Sequence, residues 1–205
     1  MKDAITKLCT ILNNLKVRYA LVGGIAAILY GVQRITLDID VIIQVSGEDE
    51  LRALTKGLGE GGFTISLEDV LQALRERTHF TCLYNSVVID FKIAREELDV
   101  LTIRNRRAIT VDHVKIFITP LEELITAKLK ILGSLKDVED ALQLMYMYHD
   151  ILDWRKLHTL LREEVFKYVD RLLCIVSKEF ADDQYVINKV KSLEALKAKI
   201  QKLVK

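Results

Sequence analysis

Apolar residues recur along this chain with two different periods, and the alternation between them sets out the elements. Ile5, Leu8, Cys9, Leu12 and Leu15 fall at helical spacing, and residues 17–23 follow as a short apolar run ended by glycine. A helix and then a buried strand are predicted. Residues 24–31 read as a short buried helix, 38–45 as a strand, and 47–62 as a helix ending in a glycine-rich turn. Residues 67–77 predict another helix. Two strands, 78–84 and 87–94, flank Asn85-Ser86, a pair suited to a hairpin turn, and 107–111 with 114–118 flank Asp112-His113 in the same way. The predicted fold class is α+β (α/β), with a mixed sheet flanked by helices over residues 1–118.

The pattern changes at Pro120, the only proline. Thr119 suits the N-cap, Pro120 the first helical position, where its missing N–H costs nothing, and Glu122 the third position of a capping box. Helical periodicity then continues over 120–132, 135–149, 153–165, 166–181 and 184–204. Residues 119–205 are therefore expected to form a C-terminal helical domain.

Composition narrows the class without naming a function. The 205 residues suffice for one core and a small appended domain. Thirty basic against 29 acidic side chains leave a formal charge of +1, so the whole molecule carries no strong field of either sign. Cys9, Cys82 and Cys174 are an odd number, widely spaced and set in apolar stretches, which fits neither a disulfide framework nor a CxxC metal site. No run reaches the roughly 18 apolar residues of a membrane span, and the charged N-terminus does not resemble a secretory signal. A cytoplasmic protein with no membrane partner is expected.

The candidate chemistry lies at the strand cores. Residues two apart on a strand share a face, so Asp38 and Asp40 present two carboxylates about 6.6 Å apart along the chain. Such a pair calls for cations, and adjacent oxygen-rich sites suit Mg²⁺ (or Mn²⁺) bridged by substrate phosphates. In residues 87–94 the apolar face is Val87, Ile89, Phe91 and Ile93; Asp90 points the other way and becomes a third ligand if the two strands are neighbours. Gly23 and Gly24 stand at a strand-to-helix junction where backbone N–H groups can approach a triphosphate. The four histidines show no metal-ligand spacing, and no Walker A or Gly-x-Ser-x-Gly motif offers a rival site.

A Gly-Gly pair, thirteen residues, Asp-Ile-Asp, and a lone aspartate in a later apolar strand together resemble the nucleotidyltransferase superfamily that includes DNA polymerase beta. The stretch GGIAAILYGVQRITLDIDVII, with TPLEELITAKLKILGSLKDVEDALQL downstream, is similar to the minimal and abortive-infection toxin-type members. The resemblance implies a nucleotidyltransferase-type sheet and a set of roles. Gly23 and Gly24 would hold the nucleotide phosphates. Asp38 and Asp40 would hold metal, Asp90 would be the third catalytic carboxylate, and Arg34 and Thr36 would shape the loop before the aspartates. Lys128 would contact phosphate, with Asp140 and, secondarily, Asp137 supporting the site.

The function so implied is metal-dependent transfer of an NMP from an NTP to an acceptor hydroxyl, with release of pyrophosphate. By resemblance the acceptor would be an RNA 3′ end such as that of tRNA, a protein or a small molecule. The alternative is a catalytically silent module with the same fold, either holding nucleotide as a sensor or acting with a cognate antitoxin in a toxin–antitoxin pair. A third reading, RNA binding, rests on the last twenty residues, whose six lysines and single glutamate form the outer face of an amphipathic helix.

Overall fold

The structure, a computed structural model, describes residues 1–132 and 134–204. Gly133, within the downstream stretch quoted above, and Lys205, the last of the six C-terminal lysines, lie outside the described residues. The chain divides into two units, Met1–Pro120 and Leu121–Lys205.

The first unit is built on a six-stranded mixed sheet. Its strands are β1 (Arg18–Leu21), β2 (Asp38–Gln44), β3 (His79–Tyr84), β4 (Val87–Ile93), β5 (Arg107–Val111) and β6 (Val114–Ile118), in the spatial order β3-β4-β2-β1-β6-β5. The pairs β3/β4, β1/β2 and β5/β6 are antiparallel, whereas β2/β4 and β1/β6 are parallel. Five helices accompany them: α1 (Lys2–Asn14), α2 (Gly23–Leu29), α3 (Glu48–Glu60), α4 (Leu67–Glu76) and α5 (Glu97–Asn105).

Strand alternation assigns the two faces of the sheet. Ile39, Val41 and Ile43 on β2 and Ile89, Phe91 and Ile93 on β4 enter one core with Leu8 and Leu12 of α1 and Leu51, Leu54 and Leu58 of α3. The opposite face is left to Asp38, Asp40 and Asp90, and farther along to a small cluster of Ala20, Ile42 and Ile103. The burial favours one register, because a slip of one residue would exchange all of these side chains between core and solvent.

Turn and cap chemistry follows the residue types. Asp112 and His113 both take positive φ, 46° and 65°, which matches the right-handed twist of the β5/β6 hairpin. Ser66 caps α4 by accepting the N–H of Asp69 at 3.2 Å. One element escaped the pattern: α5 occupies residues for which no helix is predicted. Its nine residues bury only Asp99, Thr102 and Ile103, so no apolar stripe announces it. What secures its start is a capping box between Glu96 and Asp99.

The second unit contains α6 (Leu121–Ala127), a π-helical turn at Lys128–Leu132, α7 (Leu135–Met147), α8 (Trp154–Leu161), α9 (Val165–Glu179) and α10 (Gln184–Leu203). Ser134, Asp153, Glu164 and Asp183 cap the last four helices with their side chains. The capping box expected at Thr119 and Glu122 does not form. The Thr119 hydroxyl donates to the Pro120 carbonyl at 3.3 Å, while the buried Glu122 carboxylate accepts the Asp153 N–H at 3.2 Å and lies 3.4 Å from Lys156 Nζ. A buried carboxylate gains more from an ammonium than from one backbone donor. Among the described residues no helix is long and apolar enough to cross a membrane.

Candidate active site

Parallel pairing of β2 with β4 sets Asp40 directly opposite Asp90, and Asp38 precedes Asp40 by two residues on the same face. The three carboxylates each offer an oxygen within 4.8 Å of the others, and all three side chains are half-buried. Three like charges at that separation repel one another. A divalent cation placed among them would relieve that repulsion.

Two hydroxyls hold this cluster. Thr36 Oγ1 donates to Asp38 Oδ1 at 2.6 Å, and Thr81 Oγ1 donates to Asp90 Oδ1 at 2.7 Å. The resemblance gives Thr36 a part in shaping the loop before the aspartates, and its hydrogen bond to Asp38 is seen only in the structure. The second was missed, although the hairpin shows it: a two-residue turn at Asn85-Ser86 pairs Tyr84 with Val87, and counting back pairs Thr81 with Asp90. Next to Thr81, burial and then the nearby Asp90 charge push the Cys82 thiol up to about 12, so it stays protonated and is no rival nucleophile.

Both glycines are fitted to the site by their lack of a side chain. Gly23 has φ +59°, and a Cβ there would lie 2.0 Å from Asp40 Oδ2. A Cβ on Gly24 would lie 2.7 Å from Thr36 Oγ1 and 3.1 Å from Arg34 Nη2. Gly23, Gly24, Arg34, Thr36 and the carboxylates are therefore neighbours. Gly23→Ala should cost about 1–2 kcal/mol from backbone strain alone and drive Asp40 out of place. Urea unfolding read beside Mn²⁺ binding checks this, and an alanine variant equal to the parent in both would show that the close approach does not matter.

Lys92, two residues beyond Asp90, is a fixed charge rather than a proton carrier. Burial alone would lower its ammonium, but Asp99 at 3.0 Å and Glu96 at 3.1 Å outweigh that and leave it raised.

Lys128 and Asp140 meet within the second unit. Lys128 Nζ lies 2.6 Å from Asp140 Oδ2 and 3.1 Å from Asp137 Oδ1, with the lysine side chain only 1% exposed. A lysine on an amphipathic helix ordinarily reaches solvent, and burial of this one is made tolerable by two carboxylates from the next helix.

Comparison with known proteins gives the site its context. Among curated proteins no match is found. Three solved structures are similar in outline. One is an antigenic nucleotidyltransferase-like protein from Paracoccidioides brasiliensis, with 14% identity, TM-score 0.48, and coverage of 93% of this chain and 91% of the other. The second is ANT(2'')-Ia in complex with adenylyl-2''-tobramycin, with 15% identity, TM-score 0.44, and coverage of 99% and 98%. The third is tRNA nucleotidyltransferase complexed with a primer tRNA and an ATP analogue, with 15% identity, TM-score 0.42, and coverage of 96% of this chain and 61% of the other. Likenesses this distant say nothing about the substrate of this chain. The sequence profile of a family described as nucleotidyltransferase of unknown function (DUF6036), by contrast, matches residues 2–181, nearly all of the first unit and the second unit through α9. With that match and its mixed sheet, this chain belongs to the DUF6036 nucleotidyltransferases and is a nucleotidyltransferase enzyme.

Proposed function

We propose that this protein transfers an NMP from an NTP to an acceptor hydroxyl and releases pyrophosphate, using Mg²⁺ or Mn²⁺ held by Asp38, Asp40 and Asp90. The observation that carries the reading is the convergence of three half-buried carboxylates within 4.8 Å. Hard oxygen donors in that number suit a hard divalent cation. Bound there, the metal neutralises charge on the phosphates and on the departing pyrophosphate.

The chain's own residues do the rest by positioning. Gly23 and Gly24 let the triphosphate lie against the backbone beside Asp40, and Arg34 at Gly24 supplies a guanidinium suited to a phosphate oxygen. Thr36 holds Asp38 in one orientation. As the acceptor oxygen bonds to the α-phosphorus and the bond to the β-phosphate bridge breaks, the hydroxyl proton passes to the Asp90 carboxylate. The acceptor is an RNA 3′ end, a protein or a small molecule.

Labelled NTPs decide among these. Each of the four, supplied with Mg²⁺ or Mn²⁺ and total cellular RNA, protein or small-molecule extract, should leave label in one pool and with one preferred base. Label in no pool with any NTP and metal would refute the proposal.

A further inference from the structure

We propose that Thr81 is a positioning residue: it ties down one oxygen of Asp90 so that the other alone faces the shared cation position. The inference rests on the metal-dependent reading above and extends it to a residue of the edge strand that no motif marks.

The geometry is a matched pair. On one side of the carboxylate cluster Thr36 donates to Asp38 Oδ1 at 2.6 Å, and on the other Thr81 donates to Asp90 Oδ1 at 2.7 Å. Each hydroxyl is one residue type away from being useless, since valine fills the same space with no donor. Thr81 reaches Asp90 directly across the β3/β4 pair, as its register partner. A carboxylate free to rotate can offer a cation two oxygens or one. With Oδ1 held by a short hydrogen bond, Asp90 offers Oδ2 from a single orientation, and no ordering of the side chain is left to be done when the cation arrives.

A structural duty accounts poorly for the same contact. Thr81 is exposed, on a strand at the edge of the sheet, so its hydroxyl would be satisfied by water without Asp90. The fold has no need of that bond, which makes the substitution a clean one: valine suits a strand at least as well as threonine.

The test uses the full chain and Mn²⁺ as the probe, with binding measured by electron paramagnetic resonance and by titration calorimetry, without turnover. Thr81→Val should bind Mn²⁺ about tenfold more weakly than the parent, the size usual for partners that orient a ligand, at an unchanged thermal midpoint without metal. Thr81→Ser, which keeps the hydroxyl, should restore affinity to within about twofold of the parent, a margin well inside that tenfold loss. Thr110→Val, an exposed threonine on the opposite edge strand, should leave binding unchanged. In transfer assays the loss should show as a higher metal concentration for half-maximal rate rather than a lower rate at saturation. Parent and Thr81→Val binding Mn²⁺ equally well would overturn the role of Thr81 and leave the metal site standing. A parent that binds no Mn²⁺, with or without NTP, would remove the site and this role with it.

Discussion

Asp38→Asn and Asp40→Asn should stay folded and lose NMP transfer by about a thousandfold, which corresponds to roughly 4 kcal/mol of transition-state stabilisation. Folding survives for a physical reason. Two unit charges 4.8 Å apart repel by about 1 kcal/mol in water and about 3 kcal/mol at an effective dielectric of 20, so an amide relieves repulsion in the metal-free protein. Because the carboxylates are half-buried, the smaller figure is the safer guide. In Asp38→Asn the side chain keeps an Oδ1 for the Thr36 hydroxyl, so the local hydrogen bond also persists. The thermal midpoint without metal should equal or exceed the parent's, and the rise that Mg²⁺ brings to the parent should vanish in both variants. Transfer of label at the parent's rate by either variant would remove that aspartate from the metal site.

Lys128→Ala should destabilise the protein by about 3 kcal/mol. Alanine removes an ammonium that lies 2.6 Å from Asp140 and 3.1 Å from Asp137, a contact that the buried Asp140 carboxylate then loses. The cost falls at the lower end of the range for a broken buried pair because the Asp137 side chain is 16% exposed and can turn to water. Lys128→Met with Asp140→Asn should recover at least half of the loss, since the buried carboxylate is then removed together with its ammonium. Urea unfolding of the parent, the alanine variant and the double variant measures all three. A Lys128→Ala protein as stable as the parent would mean that this ammonium is not what holds the two aspartates.

Much of the first unit was legible because its cues are local. Alternation in 38–45 and 87–94 placed the aspartates opposite the apolar residues, and β2 and β4 show that division. A two-residue turn at Asn85-Ser86 implied the β3/β4 register, down to Thr81 opposite Asp90. Helix α5 was not legible, because its single buried aliphatic, Ile103, makes no period and the helix depends on the Glu96–Asp99 capping box. The capping box at Thr119 failed for the opposite reason: the local pattern was right, but Glu122 turns to groups more than 30 residues away, the Asp153 N–H at 3.2 Å and the Lys156 ammonium at 3.4 Å.

By itself, then, the sequence determined which residues share a face, because side-chain direction repeats every two residues on a strand and depends on nothing farther away. It set Asp38 beside Asp40, gave Gly23 the freedom to adopt φ +59°, and aimed Asp90 away from the core. Only the tertiary structure decided that β4 lies parallel to β2, with α3, α4 and β3 intervening in the chain, and so brought Asp90 level with Asp40. Parallel pairing has no turn to announce it, and its register comes from burying Ile39, Val41, Ile43, Ile89 and Phe91 in one core. Lys128 marks the same division. Its spacing reads as a solvated helix face, and it is buried because Asp137 and Asp140 come round beside it from the following helix, a pairing of charges that only the packing of helices can supply.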